Sequence, residues 1–427
     1  MKKLRIIISA TIFVFIAAAA ISVSGIVLKS YDNYPKFKPF FNDKNTDYDV
    51  YFFGASNALN GIFPMQLWRD FGVTSYNFAW HKSTIALDYW LLRLTAKMHK
   101  PKIVFVDIFS IDSELLVDPN LYYAHGALDL FPLSTEKIRA INDIFKSRAT
   151  KTEFFFPFYL YHNSWKKTPF PIIKSNLKKY ALSDNNLLPT KGGELRAAIT
   201  SSGRFNVDVS DFSKKQTTSI QYAQKIISYC RENGIIPVFM LVPYPTQDYM
   251  EEWKDFFCET LRSDGVSFLD MSRTVDFDTD KFDRFAHLNP LGAQKVTECI
   301  GNYITQELAK KIDLKKNPSV HEKWSRDYQV YKQFYNTKII SADTFSSTLS
   351  LLSNTDYRAE IFLSDEENLS ELTRKIIGRL RENVTVLPSK ELENQVKVSV
   401  FIKSNGGESK DRLLCEKKFI AKSIQIQ

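Results

Sequence analysis

Short apolar runs alternate with segments of helical periodicity between about residues 45 and 312. Continuous apolar runs, rather than strictly alternating ones, are typical of parallel strands whose two faces are both covered by helices. The pattern predicts an α/β domain in which two helical layers enclose a mainly parallel five-stranded sheet, a three-layer α/β/α arrangement. The predicted strands are Tyr48–Phe53, Thr74–Ala79, Lys102–Phe109, Ile235–Pro243 and Val266–Asp270.

The segments between these strands carry helix start and stop signals. Ser83 and Thr84 are both fit to cap a helix, Gly234 suits a helix end, and Asn289 followed by Pro290 suits a first turn. The predicted helices are Pro64–Asp70, a helix around Ile85 to Ala96, Gln216–Asn233, Trp253–Asp264 and a closing helix, Asn289–Lys311.

Helical periodicity fades from about residue 112 to 211, where the segment TEFFFPFYLYHNSWKKTPFP is crowded with aromatic residues and prolines. An insertion of this length usually forms a lid over a site or an interaction surface. Its aromatic side chains could stack on sugar rings, lie in a lipid interface or pack onto the core, and packing is favoured. They are Phe154, Phe155, Phe156, Tyr159, Tyr161 and Trp165.

The C-terminal part begins with a basic and aromatic helical stretch, Val320 to Phe334. Residues 338–427 then predict a small α/β accessory domain that grips a polymer or a partner membrane protein. Its predicted elements are strands Tyr357–Leu363, Val396–Ile402 and Lys418–Gln425, and a helix over Leu369–Arg381.

The N-terminus carries a run of 23 uncharged residues, Ile6 to Leu28, directly after three basic residues. As a helix the run would extend roughly 35 Å, enough to cross a hydrocarbon core about 30 Å thick. Positive charge before the run predicts a cytoplasmic N-terminus, with everything from about Ser30 onward outside the cytoplasm. Small residues such as Ala17–Ala20 also fit a cleaved signal peptide, but the length of the run favours a membrane anchor over residues 1–29.

Composition and net charge limit the kinds of molecule that the chain is expected to bind. The chain has 427 residues, 44% apolar and 25% charged, so it can fold as one large domain and a smaller one. Its four cysteines show no metal-ligand spacing, and no cofactor is expected. An extracytoplasmic domain argues against nucleic acid despite the net charge of +9, which suits anionic lipid, anionic wall polymer or simply a solvated surface.

One serine and one histidine stand where parallel sheets carry their sites. Ser56 lies in the turn GASN after the first strand, and His287 lies in FAHLNPLG just ahead of the last helix. A serine hydroxyl needs a base within hydrogen-bond reach, and that base needs an acceptor to fix its tautomer. The simpler interpretations are a serine that caps the following helix and a histidine that caps the helix ahead of Asn289.

This order of serine and histidine resembles the SGNH (GDSL-like) hydrolases over about residues 45–312. With the apolar N-terminal run, the chain is most similar to a membrane-tethered branch associated with acyl groups on bacterial cell-surface polysaccharides and wall polymers. The resemblance implies Ser56 as nucleophile, His287 as general base and an acylated polysaccharide or wall polymer as substrate. It also implies a multipass membrane acyltransferase as a candidate partner.

The acid departs from the family's pattern. In the family the acid stands three residues before the histidine, where this chain has Arg284. Asp283, four residues before, is assigned as the orienting acid, with Asp280 as its substitute. The acidic loop around these residues lacks the glycine and terminal glutamate of an EF-hand, so no metal is assigned.

The candidate donors of the oxyanion hole also differ from those of the family. Beside the serine N–H, the family uses a glycine N–H after the second strand and an asparagine side chain after the third. This chain reads YNFAWHKS and DIFSID at those places. Asn77 is the nearest candidate donor to join the Ser56 N–H, and Asn57 is the next. Losing one such donor typically costs about 10²–10³ in rate.

Two functions are therefore expected from the sequence. The first is a membrane-anchored, serine-dependent acyl esterase or O-acyltransferase that acts outside the cytoplasm on a polysaccharide or wall polymer. The second is a catalytically inactive scaffold of the same fold that binds glycan or an envelope-assembly partner.

Overall fold

The computed structural model describes most of the chain. The described residues are 2–28, 36–43, 47–111, 121–129, 131–161, 166, 169–181, 189–200, 216–244, 255, 258–259, 261, 265–285, 287–314, 316–364, 369–392, 395–404 and 411–420.

Five strands form one all-parallel sheet in the order β2-β1-β3-β4-β5. All five lie within two residues of the predicted bounds at each end, so the α/β prediction is confirmed. Every residue of β1 and β3 is buried, which explains their continuous apolar character. The strands are β1 (Val50–Phe53), β2 (Ser75–Asn77), β3 (Ile103–Asp107), β4 (Ile236–Leu241) and β5 (Ser267–Asp270).

The strand order reverses beside β1. The chain leaves β1 for β2 on one side and returns to β3 on the other, so crossovers diverge at the carboxyl ends of β1 and β3. In open parallel sheets this divergence leaves a crevice in which ligands bind. Ser56 follows β1 directly and therefore stands at that crevice.

The predicted helices Pro64–Asp70, Ile85–Ala96 and Gln216–Asn233 are confirmed to within one residue at each end, and the predicted helix Asn289–Lys311 is observed as Pro290–Tyr303 with a π-helical extension to Leu308. Thr84 accepts the Leu87 N–H and caps its helix, while Ser83 donates to Asp88 instead. The predicted helix at Trp253–Asp264 falls largely outside the described residues. The helices are α1 (Lys2–Val27), α2 (Lys38–Asn42), α3 (Ser56–Gly61), α4 (Pro64–Phe71), α5 (Ile85–Ala96), α6 (Leu121–Leu128), α7 (Thr135–Ile144), α8 (Arg148–Phe155), α9 (Pro157–Tyr161), α10 (Phe170–Ala181), α11 (Gln216–Glu232) and α12 (Pro290–Tyr303).

Helix contacts divide into two groups. Helix α5 contacts α7 and α11, whereas α12 contacts α3 and α4. Two separate groups are what helices on the two faces of a parallel sheet produce. A 3₁₀ turn, Ile108–Ile111, follows β3, and a π-helical segment, Ile304–Leu308, extends α12.

The predicted insertion contains helices α6 to α10, which its weak periodicity did not indicate. Phe154 is buried and stacks on His125 and Phe145, with ring centroids 3.8 and 4.2 Å apart. Packing is therefore confirmed for that ring, but Phe156 and Tyr159 are exposed. Trp165 lies outside the described residues.

The C-terminal part folds around a second, four-stranded mixed sheet in the order β7-β6-β8-β9. Strand β7 was not predicted, and the last strand begins six residues earlier than predicted. The predicted domain start at residue 338 falls inside α13. The elements are α13 (Pro318–Ser341), α14 (Phe345–Leu351), β6 (Tyr357–Leu363), α15 (Glu371–Arg379), β7 (Val384–Pro388), β8 (Gln395–Ile402) and β9 (Arg412–Ile420).

Helix α1 at the N-terminus is long and apolar enough to cross a membrane over Lys3–Ile21. None of that stretch is buried against the rest of the protein. Large apolar side chains such as Phe13 and Phe15 are 72% and 77% exposed, which suits a helix whose surroundings are apolar.

Candidate active site

The turn after β1 depends on a glycine. Gly54 has a φ of +145°, and a Cβ atom there would lie 2.6 Å from the Cβ of Asp107 at the end of β3. Ala55 is the N-cap of α3 and makes no side-chain capping bond, so Ser56 is the first helical residue. The interpretation of Ser56 as a capping serine is therefore wrong.

The loop ahead of α12 is a tight hairpin whose strands meet at Lys281 and Leu288. Asn289 fixes it to the helix, because its Oδ1 accepts the N–H groups of Leu291 and Gly292 at 3.0 and 3.2 Å. Its Nδ2 donates to the carbonyls of Thr279 and Lys281 at 2.8 and 3.1 Å. Asn289 is thus the predicted cap, and His287 is left without a capping role.

Ser56, His287 and Asp283 meet in one hydrogen-bonded series. The distance from Ser56 Oγ to His287 Nε2 is 2.8 Å, and that from His287 Nδ1 to Asp283 Oδ2 is also 2.8 Å. A proton held on Nδ1 by the carboxylate leaves Nε2 free to accept the serine proton. The His287 and Asp283 side chains are 20% and 27% exposed, so solvent reaches the site.

The Asp283 carboxylate is itself held in place. Its Oδ1 accepts the backbone N–H groups of Phe285 and His287 at 3.0 and 3.2 Å. The aromatic ring of Phe282 stacks on the imidazole, with centroids 5.7 Å apart. Asp283, which stands four residues before His287 rather than three, therefore still reaches His287 Nδ1.

Asp280, the alternative acid, is engaged elsewhere. Its Oδ2 binds Lys295 Nζ at 2.6 Å and the Asp276 N–H at 2.8 Å, and its Oδ1 accepts from Thr279 at 2.8 Å. The residue is fully buried. Asp280 therefore shapes the loop rather than orienting the imidazole, which excludes it as the substitute acid.

Two cations from α15 hold the same acidic loop. Lys375 Nζ lies 2.6 Å from Asp276, and Arg379 forms hydrogen bonds with Asp276 and Thr279. Although burial alone would raise the pKa of Asp276, the hydrogen bonds from Lys375 and Arg379 lower it to about 2. No sequence pattern predicts this contact. The one related feature of the sequence is the pair of basic residues at spacing i, i+4 on α15.

Asn77 is not available as an oxyanion donor. Its Nδ2 donates to the carbonyls of Ala58 and Ile62 at 2.9 and 3.2 Å, and its Oδ1 accepts the Ala79 N–H at 2.9 Å. Both amide hydrogens are thus used to join β2 to α3, and the residue is fully buried. The prediction that Asn77 contributes to the oxyanion hole is wrong.

Asn57, the second candidate, has an unused donor. Its side chain is buried, and its Nδ2 has no hydrogen-bond partner among the described residues. A buried amide normally finds a partner because leaving it unpaired costs about 1–3 kcal/mol. Asn57, adjacent to Ser56 in α3, therefore carries a buried donor whose partner the described residues do not supply.

Asp107 is the last residue of β3 and is fully buried. Its Oδ1 accepts the N–H groups of Val242 and Phe109 at 3.3 and 3.4 Å. Burial raises the pKa of this carboxyl group to about 7. A carboxyl group that is partly protonated near neutral pH thus lies directly beneath the Gly54 turn.

No protein-family model matches this chain, and no curated protein or solved structure matches it either.

Proposed function

We propose that the chain is a serine-dependent acyl esterase or O-acyltransferase of the SGNH type. The observation that carries the proposal is the hydrogen-bonded series from Ser56 Oγ through His287 to Asp283 at the crevice of a parallel sheet. Three residues brought together from positions separated by 231 residues form the arrangement that activates a serine hydroxyl.

In the proposed reaction, Ser56 Oγ attacks the carbonyl carbon of an ester while His287 Nε2 takes the serine proton. Asp283 stabilises the imidazolium that forms. The tetrahedral intermediate collapses when His287 protonates the leaving alcohol oxygen, which leaves the acyl group on Ser56. Water, or a sugar hydroxyl in a transferase, then attacks the acyl-serine, and the same proton transfers run in reverse.

The developing oxyanion needs donors, and we assign the Ser56 N–H together with Asn57 Nδ2 to this role. The support for Asn57 is its buried and unpartnered amide next to the nucleophile. A donor used only in the transition state favours that state over the ground state, which is how such groups accelerate acyl transfer.

The site is proposed to face the outside of the cytoplasmic membrane. Lys2, Lys3 and Arg5 precede the apolar stretch of α1, so the N-terminus would be cytoplasmic and the catalytic domain extracytoplasmic. An acylated cell-surface polysaccharide or wall polymer is the substrate class that the family resemblance suggests, and a multipass membrane acyltransferase remains the proposed partner.

A catalytically inactive scaffold that binds glycan or an envelope-assembly partner is the second candidate. It is favoured by the departure from the family at both additional oxyanion donors, now including the engagement of Asn77 with backbone carbonyls. A fold that keeps its serine and histidine but lacks donors for the oxyanion would bind an ester without turning it over.

Fluorophosphonate labelling of the full chain in detergent, with turnover of p-nitrophenyl acetate measured in parallel, separates these two functions. The enzyme should be labelled, and Ser56→Ala should lose both labelling and turnover, whereas Ser272→Ala should keep them. Labelling that survives Ser56→Ala would contradict the proposed nucleophile. Absence of both signals in the unmodified chain would favour the scaffold. Turnover that rises only when a sugar acceptor is added would identify a transferase.

A further inference from the structure

Helices α9 and α10 of the insertion both contact the N-terminal helix α1. Within α1, the large apolar side chains from Ile6 to Ile16 are exposed, whereas Ala17 and Ser24, seven residues apart on one face, are half-buried. The contact therefore lies on the C-terminal half of α1. With 26 residues this helix is roughly 39 Å long, so its last turns would emerge from a hydrocarbon core about 30 Å thick.

The same part of the insertion exposes a series of large apolar side chains. Single exposed apolar residues are normal on soluble proteins, but a continuous group marks a contact with lipid or with another protein. The exposed fractions are 63% for Phe156, 60% for Tyr159, 37% for Leu160, 74% for Phe170 and 43% for Ile172.

The charged residues within this stretch of the sequence are all basic. From Phe154 to Ser183 the sequence contains five lysines and no aspartate or glutamate. Of the lysines, Lys166 and Lys174 belong to the described residues and are exposed. Aromatic and aliphatic side chains next to lysines are typical of segments that lie at the boundary between lipid headgroups and acyl chains.

We propose that residues 156–161, 166 and 169–174, hereafter the interfacial segment, lie in the outer leaflet beside α1, where their apolar side chains form a second membrane contact. The inference rests on the membrane anchor in the proposed function. Lipid is the proposed occupant because the segment adjoins the C-terminal half of α1 and carries lysines that complement anionic headgroups.

A series of packed contacts joins the interfacial segment to the nucleophile turn. Phe154 at the end of α8 stacks on His125 of α6, and the Tyr123 carbonyl of α6 accepts the Trp80 indole N–H at 2.7 Å. The Trp80 backbone N–H donates to the Gly54 carbonyl at 2.9 Å. This series holds the site at a fixed height above the bilayer, which suits an acyl donor or acceptor carried on a membrane lipid.

Quenching by spin-labelled lipid tests the contact in the full chain. Cys258, Cys299 and Cys415 are replaced by serine, and Cys230 is kept because it is fully buried and out of reach of the label. One accessible cysteine is then placed at Phe156 or Phe170 and labelled with an NBD fluorophore. The protein is reconstituted into phosphatidylcholine vesicles containing phosphatidylglycerol and a lipid with a doxyl group near the headgroup. Leu413→Cys and Val330→Cys, exposed apolar positions on β9 and α13, are matched controls, and Phe15→Cys on α1 reports the span.

The expected result is a loss of about half the NBD emission at positions 156 and 170, with little loss at 330 and 413. Quenching at Phe15→Cys alone would establish the span and overturn the interfacial segment. No quenching at any position would remove the anchor and the inference with it. The NBD groups at positions 156 and 170 could instead be shielded from aqueous iodide more strongly at higher protein density, without doxyl quenching. That result would show that a second copy of the chain covers the segment, and it would also overturn the proposal. Fluorophosphonate labelling of the same variants reports the esterase proposal independently.

Discussion

The two halves of the candidate site are built differently. The Ser56 half is a short turn at the end of β1. Every residue of β1 is buried, and Gly54, which packs against Asp107, fixes the path of the turn. The His287 half is a partly exposed hairpin held by ion pairs and by the side chain of Asn289. Ser56 is therefore fixed by close packing, whereas His287 and Asp283 are fixed by polar contacts that water and salt can weaken.

The two halves should therefore fail in different ways. A buried turn tolerates little change in volume, so substitutions there should lower the stability of the fold. A polar hairpin can move while the fold survives, so substitutions there should lower the reaction rate. The substitutions below test this contrast.

The largest expected effect is on rate, from Asp283→Asn. The amide can donate to Nδ1 and hold the wrong imidazole tautomer, which should lower turnover and fluorophosphonate labelling about 10³–10⁴-fold. The melting temperature should change little, because the side chain is 27% exposed. Asp278→Asn, in the same loop and 69% exposed, is the control and should keep its rate. A rate within tenfold of the parent would exclude Asp283 as the orienting acid.

Asn57→Ala should lower turnover about 10²–10³-fold, the usual cost of one oxyanion donor. Because the Nδ2 group has no partner among the described residues, the truncation leaves no carbonyl unpaired, and the free energy of unfolding should fall less than in Asn77→Ala. Asn77→Ala should behave in the opposite way, with a lower melting temperature from the carbonyls left unpaired. Equal losses of stability in both variants would contradict the exchange of roles between these two asparagines.

Gly54→Ala should destabilise the fold by about 3 kcal/mol, through its positive φ and the contact with Asp107. Gly72→Ala is the matched control, since Gly72 also has a positive φ of +65° but no atom within 4 Å of the added Cβ. Its loss should be about 1 kcal/mol. Thermal unfolding of both variants measures the difference, and equal losses would mean that packing beneath the turn is not decisive.

Sequence patterns located the Ser56 and His287 halves because each depends on local signals. A buried strand followed by small residues predicts the first, and an asparagine followed by proline predicts the second. The direction of a polar side chain carries no such signal, which is why Asn77 was given a role that its hydrogen bonds exclude.

Contacts between segments that are distant in the sequence leave no local sequence signal either. Arg379 lies 103 residues from Asp276, and no periodicity links α15 to the hairpin. The five helices of the insertion were missed because their short lengths give too few turns for a pattern to repeat. Contacts between residues that lie far apart in the sequence are visible only in the structure.

Arg379→Met should lower turnover about tenfold by loosening the hairpin while β1 and its turn remain intact. Because the lost contacts are charged, the parent should lose rate in high salt and the variant should respond much less. Arg374→Met, an exposed arginine on the same helix, is the control. An unchanged rate and an unchanged salt response in Arg379→Met would show that α15 does not position the hairpin.

Asp107→Asn should leave the rate unchanged and alter only the pH dependence of stability. The pKa of Asp107 is about 7 in the folded protein against an ordinary value of 3.8, so between those pH values the folded protein keeps a proton that the unfolded chain has lost. The parent should therefore lose up to about 1.4 kcal/mol of stability per pH unit as pH rises through that range, and the asparagine variant should not. Melting temperatures from pH 4 to pH 8 test this, and parallel curves would contradict it.

The nucleophile, its base and the cations that brace the base come from positions 56, 287 and 375–379, which spread across most of the polypeptide. A ribosome must therefore synthesise nearly the whole chain before these groups can meet. A shorter nascent chain would hold Ser56 without the imidazole and without the cations that hold the acidic loop, so the site could assemble only when synthesis is almost complete.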